Sequence, residues 1–217
     1  MNERNDYIYK NPSVLIKDRV SYIKEKARGK TVLDVGCVDH EATRELGDFW
    51  LHKIIKGVAK DILGVDLNSV EVAKLNQKGY EIIVGDVEKI NLGKKFELII
   101  AGELIEHLSN PGLFLENMRK HLKDGGFLII TTPNAYALRY ALRHIMHGIV
   151  VLNPEHTFYF DYFTLKELCE RNGFFIKESY YFFDNNPGIL KYFLLRMATV
   201  FRKSYAPRVM FVLEKNI

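Results

Sequence analysis

Thr31-Val32-Leu33-Asp34-Val35-Gly36-Cys37 reads as a strand that ends in an acidic residue and stops at a glycine. A strand buried on both faces shows as a near-continuous apolar run rather than an alternation. The same form recurs downstream: Ile62-Leu63-Gly64-Val65-Asp66, then Tyr80 to Val84 closed by Gly85-Asp86, then Phe96 to Ala101, then Phe127 to Thr132 ended by Pro133. Helix-like stretches lie between these runs. The spacing predicts an opening helix over Asn11 to Arg28 and helices over Glu41 to Lys56 and Asn68 to Lys78, the last capped by Asn68 and stopped at Gly79. Asn110-Pro111 starts another, ending near Lys123. Thr164-Leu165-Lys166-Glu167 reads as a capping box opening a helix that stops at Gly173. Phe174 to Phe183 and Arg208 to Glu214 close the frame as strands. Strands alternating with helices give an α/β fold, a doubly wound Rossmann-like sheet of about seven strands, mostly parallel with an antiparallel end strand.

At 217 residues the chain fits one domain, 1–217, with insertions at about 133–163 and 187–207. A hydrophobic share of 47% beside 27% charged residues supplies both a core and a soluble surface. The net charge of +4 is too mild to argue for nucleic acid. Cys37 and Cys169, the two cysteines, make neither a disulfide framework nor a zinc set, and a reducing, cytoplasmic setting is expected. Met1 to Lys10 is polar, with no secretory signal, and no apolar run is long enough to span a bilayer.

In open α/β sheets ligands bind beyond the carboxyl ends of the strands, where strand order reverses. Asp34 and Gly36 end the first strand, Asp66 ends the second, Asp86 follows the third, and Gly102-Glu103 follows the fourth. A glycine at Gly36 lets backbone approach a ligand closely. An acid after the second strand can accept from both ribose hydroxyls, and one after the third from an adenine amino group. The first loop, Gly36-Cys37-Val38-Asp39-His40, has a single glycine, which argues against a pyrophosphate.

Val32-Leu33-Asp34-Val35-Gly36-Cys37, Gly64-Val65-Asp66, Gly85-Asp86, Glu103-Leu104-Ile105-Glu106-His107-Leu108, Lys123-Asp124-Gly125-Gly126 and Thr132-Pro133-Asn134 together resemble the class I S-adenosylmethionine-dependent methyltransferases, in family order from about Thr31 to Gly173. The resemblance implies S-adenosylmethionine as cofactor, with Asp34 and Gly36 bordering its methionine part, Asp66 on the ribose and Asp86 on the adenine. It also counts Cys37, Leu67, Val87 and Gly102 among the lining of the cofactor site. The family usually carries further glycines in the first loop, where this chain has Val38, Asp39 and His40, and the stretch from the first strand to Asp66 is longer than usual.

Glu103, Glu106 and His107 stand at i, i+3 and i+4, one face of a helical turn, and His156 can reach them from the insertion after the fifth strand. Carboxylates and imidazoles so placed can ligate a divalent cation such as magnesium. The string resembles that of the ubiquinone-pathway O-methyltransferases and of the small-RNA 2′-O-methyltransferases. His107 and His156 are the candidate catalytic bases for a hydroxyl acceptor. The expected activity is O-methylation of a small molecule, sugar or lipid-linked intermediate. An RNA 2′-O-methyltransferase and a non-catalytic cofactor-binding partner protein are the alternatives. Ala135 to Val151 and Gly188 to Lys203 mix basic, aromatic and apolar residues. They predict lid helices over the acceptor, with peripheral contact at a membrane surface as a further expectation.

Overall fold

The computed structural model describes residues 14–16, 18–38, 50–148, 153–183 and 197–216. Eight strands form one sheet: β1 (Val14–Leu15), β2 (Thr31–Val35), β3 (Asp61–Asp66), β4 (Ile82–Val84), β5 (Phe96–Gly102), β6 (Leu122–Pro133), β7 (Phe174–Phe182) and β8 (Arg208–Lys215). Their order is β1-β7-β8-β6-β5-β2-β3-β4. All pairings are parallel except those of β8, which runs against β6 on one side and β7 on the other. The strand beyond the seven expected is the two-residue β1, which pairs with β7.

Helices α1 (Arg19–Ala27), α2 (Leu51–Lys56), α3 (Ser69–Gln77), α4 (Pro111–His121), α5 (Leu138–His147) and α6 (Tyr162–Arg171) accompany the sheet, with short 3₁₀ turns at Ile105–His107 and Lys203–Tyr205 and a helical stretch over 197–201. Alternate residues of the central strands serve opposite faces. Leu33, Val35, Ile99, Ala101, Leu128 and Ile130 pack with Phe114 and Met118 of α4 and Leu165 of α6. Val32, Leu98, Ile100 and Ile129 pack with Ile23 and Ala27 of α1 and Ile55 of α2. Both faces of the sheet are therefore covered, which is why its strands read as continuous apolar runs.

Among the differences from the sequence expectation are two helix starts and one cap. The first helix does not run from Asn11: Val14–Leu15 is strand, and Asp18 caps a helix that starts at Arg19 by accepting the Val20 N–H at 2.9 Å. Helix α6 starts at Tyr162, so Thr164 is the last residue of a four-residue capping box led by Asp161 rather than its cap. Asp161 wins because its carboxylate takes the Phe163 and Thr164 N–H groups while its own N–H donates to Thr164 Oγ1. The box expected from Asn68 and Glu71 is half made: Asn68 accepts the Glu71 N–H, but the Asn68 N–H goes to Asp66. The expectations for residues 11–13, 41–49, 149–151 and 184–196 lie outside the described residues.

Candidate active site

Strand order reverses between β2 and β5, whose carboxyl ends lie side by side, Val35 opposite Ala101. The chain leaves β2 through Gly36, whose φ of +65° suits a residue without Cβ, and a Cβ there would sit 2.8 Å from the Leu104 side chain. Asp66, at the end of β3, is half-buried. One of its carboxylate oxygens takes the Val38 N–H and the other the Asn68 N–H, each at 2.9 Å. A carboxylate has about four acceptor directions, so two remain for a vicinal diol. Beyond β4, Asp86 takes the Glu88 N–H and the Lys89 ammonium, which hold its carboxyl below the ordinary range. Gly102 leaves room beside Thr131 and Leu51, Leu67 is exposed, and Val87 is buried. Gly36, Asp66, Asp86 and Gly102 thus stand at the ends of four strands along one edge of the sheet. This polar, glycine-bearing rim fits an adenosyl ligand with an amino-acid tail. Asp39 and His40 lie outside the described residues.

Asp34 and Cys37 are not open to that rim. Asp34 is buried, its Oδ2 2.9 Å from His52 Nδ1. Burial pushes the Cys37 thiol up, reinforced by the Asp34 and Asp66 carboxylates, so the thiol stays protonated. The Cys37 carbonyl accepts the Trp50 indole N–H at 2.8 Å. Nothing in the sequence spacing marks Trp50 or His52. The one legible signal is a histidine and a tryptophan in an otherwise apolar and basic helix start.

On the other side of Gly102 the Glu-x-x-Glu-His string does not form one helical face. Glu103 has a φ of +55°, and only Ile105–His107 winds, as a 3₁₀ turn. Glu106 is buried, accepting the Thr132 hydroxyl at 2.9 Å, and burial pushes its carboxyl up to about 7. Segment 153–160 closes over this turn: the N–H groups of Thr157 and Phe158 and the Thr157 hydroxyl all donate to the Glu106 carbonyl. That brings His156 against His107, ring centroids 4.6 Å apart and edge to face. One ligand atom each from Glu106, His107 and His156 lies within 4.8 Å of the others. Burial, with the neighbouring His107, lowers the His156 pKa. Its Nδ1 is buried with no hydrogen-bond partner among the described residues.

Glu103 departs from the expected metal set. The left-handed backbone turns it from the 3₁₀ turn toward β6 and β8, where its carboxylate pairs with Arg19 at 3.3 Å and with Arg208. Arg19 also donates to Thr131. Asp34, Cys37 and His52 form a second group with metal-ligand chemistry among the described residues, buried beneath the first loop.

This fold and rim define a class. Residues 7–178 match the family described as a methyltransferase domain, and the chain belongs to that family: it is a class I S-adenosylmethionine-dependent methyltransferase. Among curated relatives, the ubiquinone biosynthesis O-methyltransferase of Glaesserella parasuis serovar 5 is 31% identical over 173 residues, 74% of this chain and 72% of that one. The human mitochondrial ubiquinone biosynthesis O-methyltransferase is 29% identical over 161 residues, 67% of this chain and 41% of that one. Between two fifths and three quarters of these relatives' lengths is therefore spanned. Among solved structures, an S-adenosylmethionine-dependent methyltransferase from Clostridium acetobutylicum shares the fold at a TM-score of 0.62 and 13% identity, covering 91% of each chain. The N-methyltransferase NodS of Bradyrhizobium japonicum, solved with S-adenosyl-L-homocysteine, does so at 0.58 and 13%, over 91% of this chain and 85% of that one.

Proposed function

We propose that the enzyme methylates a hydroxyl oxygen of a small or lipid-linked intermediate, with His156 receiving the hydroxyl proton. The observation that carries this is the group formed by buried Glu106 with half-buried His107 and His156, which follows β5 on the side away from β3 and β4 and their Asp66 and Asp86. The O-methyltransferase names of the curated relatives point the same way.

S-adenosylmethionine supplies, when bound, a methyl group already activated by its sulfonium. Asp66 would hold the ribose hydroxyls and Asp86 the adenine end, with the Gly36–Cys37 and Gly102 backbone along the methionine part. Fixing the acceptor oxygen in line with the methyl supplies much of the acceleration. The residual need is a base, and His156 suits it: burial and the neighbouring His107 lower its pKa, which favours the neutral, proton-accepting imidazole, and Nδ1 has no hydrogen-bond partner among the described residues.

A divalent cation fits the same three side chains as an alternative to the free base, since a coordinated His156 could not also receive the proton. One carboxylate and two imidazoles suit a transition ion better than magnesium, which takes oxygen ligands and water. Glu106, His107 and His156 would hold it, and it would lower the pKa of a bound hydroxyl.

Helix α5 supports peripheral contact with a membrane surface. From Ala141 to Gly148 every residue is exposed, including Leu142, Ile145 and Met146 between Arg143, His144 and His147. Such a surface suits an acceptor carried on a lipid tail.

The test incubates the purified chain with methyl-labelled S-adenosylmethionine and fractionated source-cell extract, with and without chelator. Label is expected in the lipid or polar-metabolite fraction, and His156→Ala is expected to slow it by about a hundredfold. Label that ribonuclease releases would overturn the small-molecule acceptor. Full turnover in excess chelator would overturn the cation.

A further inference from the structure

Asp34 and Gly64 stand opposite each other on β2 and β3. The sheet face above them is filled by one imidazole, that of His52 in the first turn of α2. Gly64 makes this possible. A Cβ there would lie 3.1 Å from His52 Cε1 and 2.8 Å from Cys37 Sγ, so only a residue without a side chain lets the ring settle beside Asp34. Trp50 stacks on His52 at 5.2 Å between ring centroids, and Tyr80 closes the box edge-on to Trp50 at 4.8 Å.

Of the two polar contacts of this box, one reaches the end of β2 and the other the first loop. A carboxylate only accepts, so His52 Nδ1–H is the donor to Asp34. The Trp50 indole N–H donates to the Cys37 carbonyl. Trp50, His52, Asp34 and Cys37 are all buried, so water cannot replace a lost donor cheaply. Asp34 to Cys37 is the stretch read as the border of the cofactor site, with only Gly36 of its residues on the rim itself. It contains one glycine, so its path is not set by a glycine-rich turn alone.

We propose that Trp50 and His52 are positioning residues for the cofactor, a clamp that fixes the Asp34 carboxylate and the Cys37 carbonyl from beneath the loop. Neither touches the acceptor end of the site. Loss of the clamp weakens cofactor binding and leaves acceptor binding unchanged. The inference rests on the reading of the Asp34–Cys37 stretch as the cofactor border.

The experiment measures S-adenosyl-L-homocysteine affinity by titration calorimetry on the full chain. His52→Leu, which removes the donor, is expected to weaken binding by about tenfold or more. His52→Asn, whose amide can stand where Nδ1 stands, is expected to stay within about threefold of wild type, while His52→Gln, whose donor sits near the Nε2 position, is not. Trp50→Phe keeps the ring and loses the N–H, and weakens binding too. Phe114→Leu, a core truncation against the opposite sheet face, lowers the melting temperature without changing affinity, and so separates positioning from general destabilisation. Wild-type affinity in His52→Leu, with binding lost in Asp34→Asn, overturns the clamp. Wild-type affinity in Asp34→Asn as well overturns the border reading beneath it. If His52→Leu does not fold, Trp50→Phe and the contrast of Asn with Gln at position 52 decide the matter: equal affinities across those variants overturn the proposal.

Discussion

Glu178 on β7 shows how far one residue's surroundings can move its chemistry. Burial alone raises a carboxyl pKa. Here the Lys26 ammonium at 2.7 Å and the hydroxyls of Tyr180 and Tyr22 outweigh burial and bring it from 4.5 down to about 2. A depressed folded pKa means stability that is full above the unfolded pKa and is lost as pH falls through the folded one. Glu178→Gln is therefore expected to lower the unfolding free energy at neutral pH by about 2 kcal/mol, discounted for partial exposure. The difference from wild type should shrink as pH falls from 4.5 to about 2, read by urea unfolding at a series of pH values. Parallel curves through that window would show that the network contributes nothing. Neither Lys26 nor Tyr22 is near Glu178 in sequence, so this network is invisible until α1 packs beside β7.

Among the elements, the carboxyl end of β6 governs both insertions. Asn134 is buried there, and its Nδ2 donates to the carbonyls of Ser204 and Ala206 at 2.7 and 2.8 Å. Its own N–H donates to the Pro207 carbonyl, and its Oδ1 accepts the Tyr136 N–H at 3.2 Å. One side chain thus ties the root of α5 to the segment that leads into β8. Asn134→Ala leaves two carbonyls without their donor and is expected to cost about 2–3 kcal/mol. Faster proteolysis across 138–147 should accompany the loss, measured by limited digestion beside chemical unfolding. An unchanged digestion pattern would mean that α5 is anchored elsewhere. Sequence reading sets the expected insertions by their flanking strands, because strand ends are written in apolar runs and prolines. It could not show that Asn134 joins them, since the bonded partners lie 70 and 72 residues away.

For the molecule as a whole, the exposed apolar residues cluster on particular segments. Ile145 is 78% exposed and Met146 66% on α5, and Val200 and Phe201 are 76% and 84% exposed on the short helical stretch over 197–201. Arg202 and Lys203 follow directly, also exposed. Among the described residues no helix is long and apolar enough to cross a membrane. Flotation with anionic vesicles is expected to carry wild type upward, and Ile145→Glu with Phe201→Glu to return it to the dense fraction. Wild type that stays dense at low salt would overturn the membrane reading.

The sequence by itself determined the alternation of strand and helix, the acidic and glycine residues at successive strand ends, and so the class of enzyme. These features are local: a strand buried on both faces must be apolar throughout, and a ligand rim must fall where the apolar run stops. Only the tertiary structure decided which of the marked residues meet. Glu103 shares a string with Glu106 and His107, yet its positive φ sends it to Arg19 and Arg208. His156 joins His107 because Thr157 and Phe158 bind the Glu106 carbonyl from 51 and 52 positions along the chain, a pairing set by backbone hydrogen bonds that any residue types can make. His52 meets Asp34 because Gly64, one strand over, leaves the space. Spacing reports the neighbours along a strand or helix; contacts between elements depend on packing geometry that no single segment encodes.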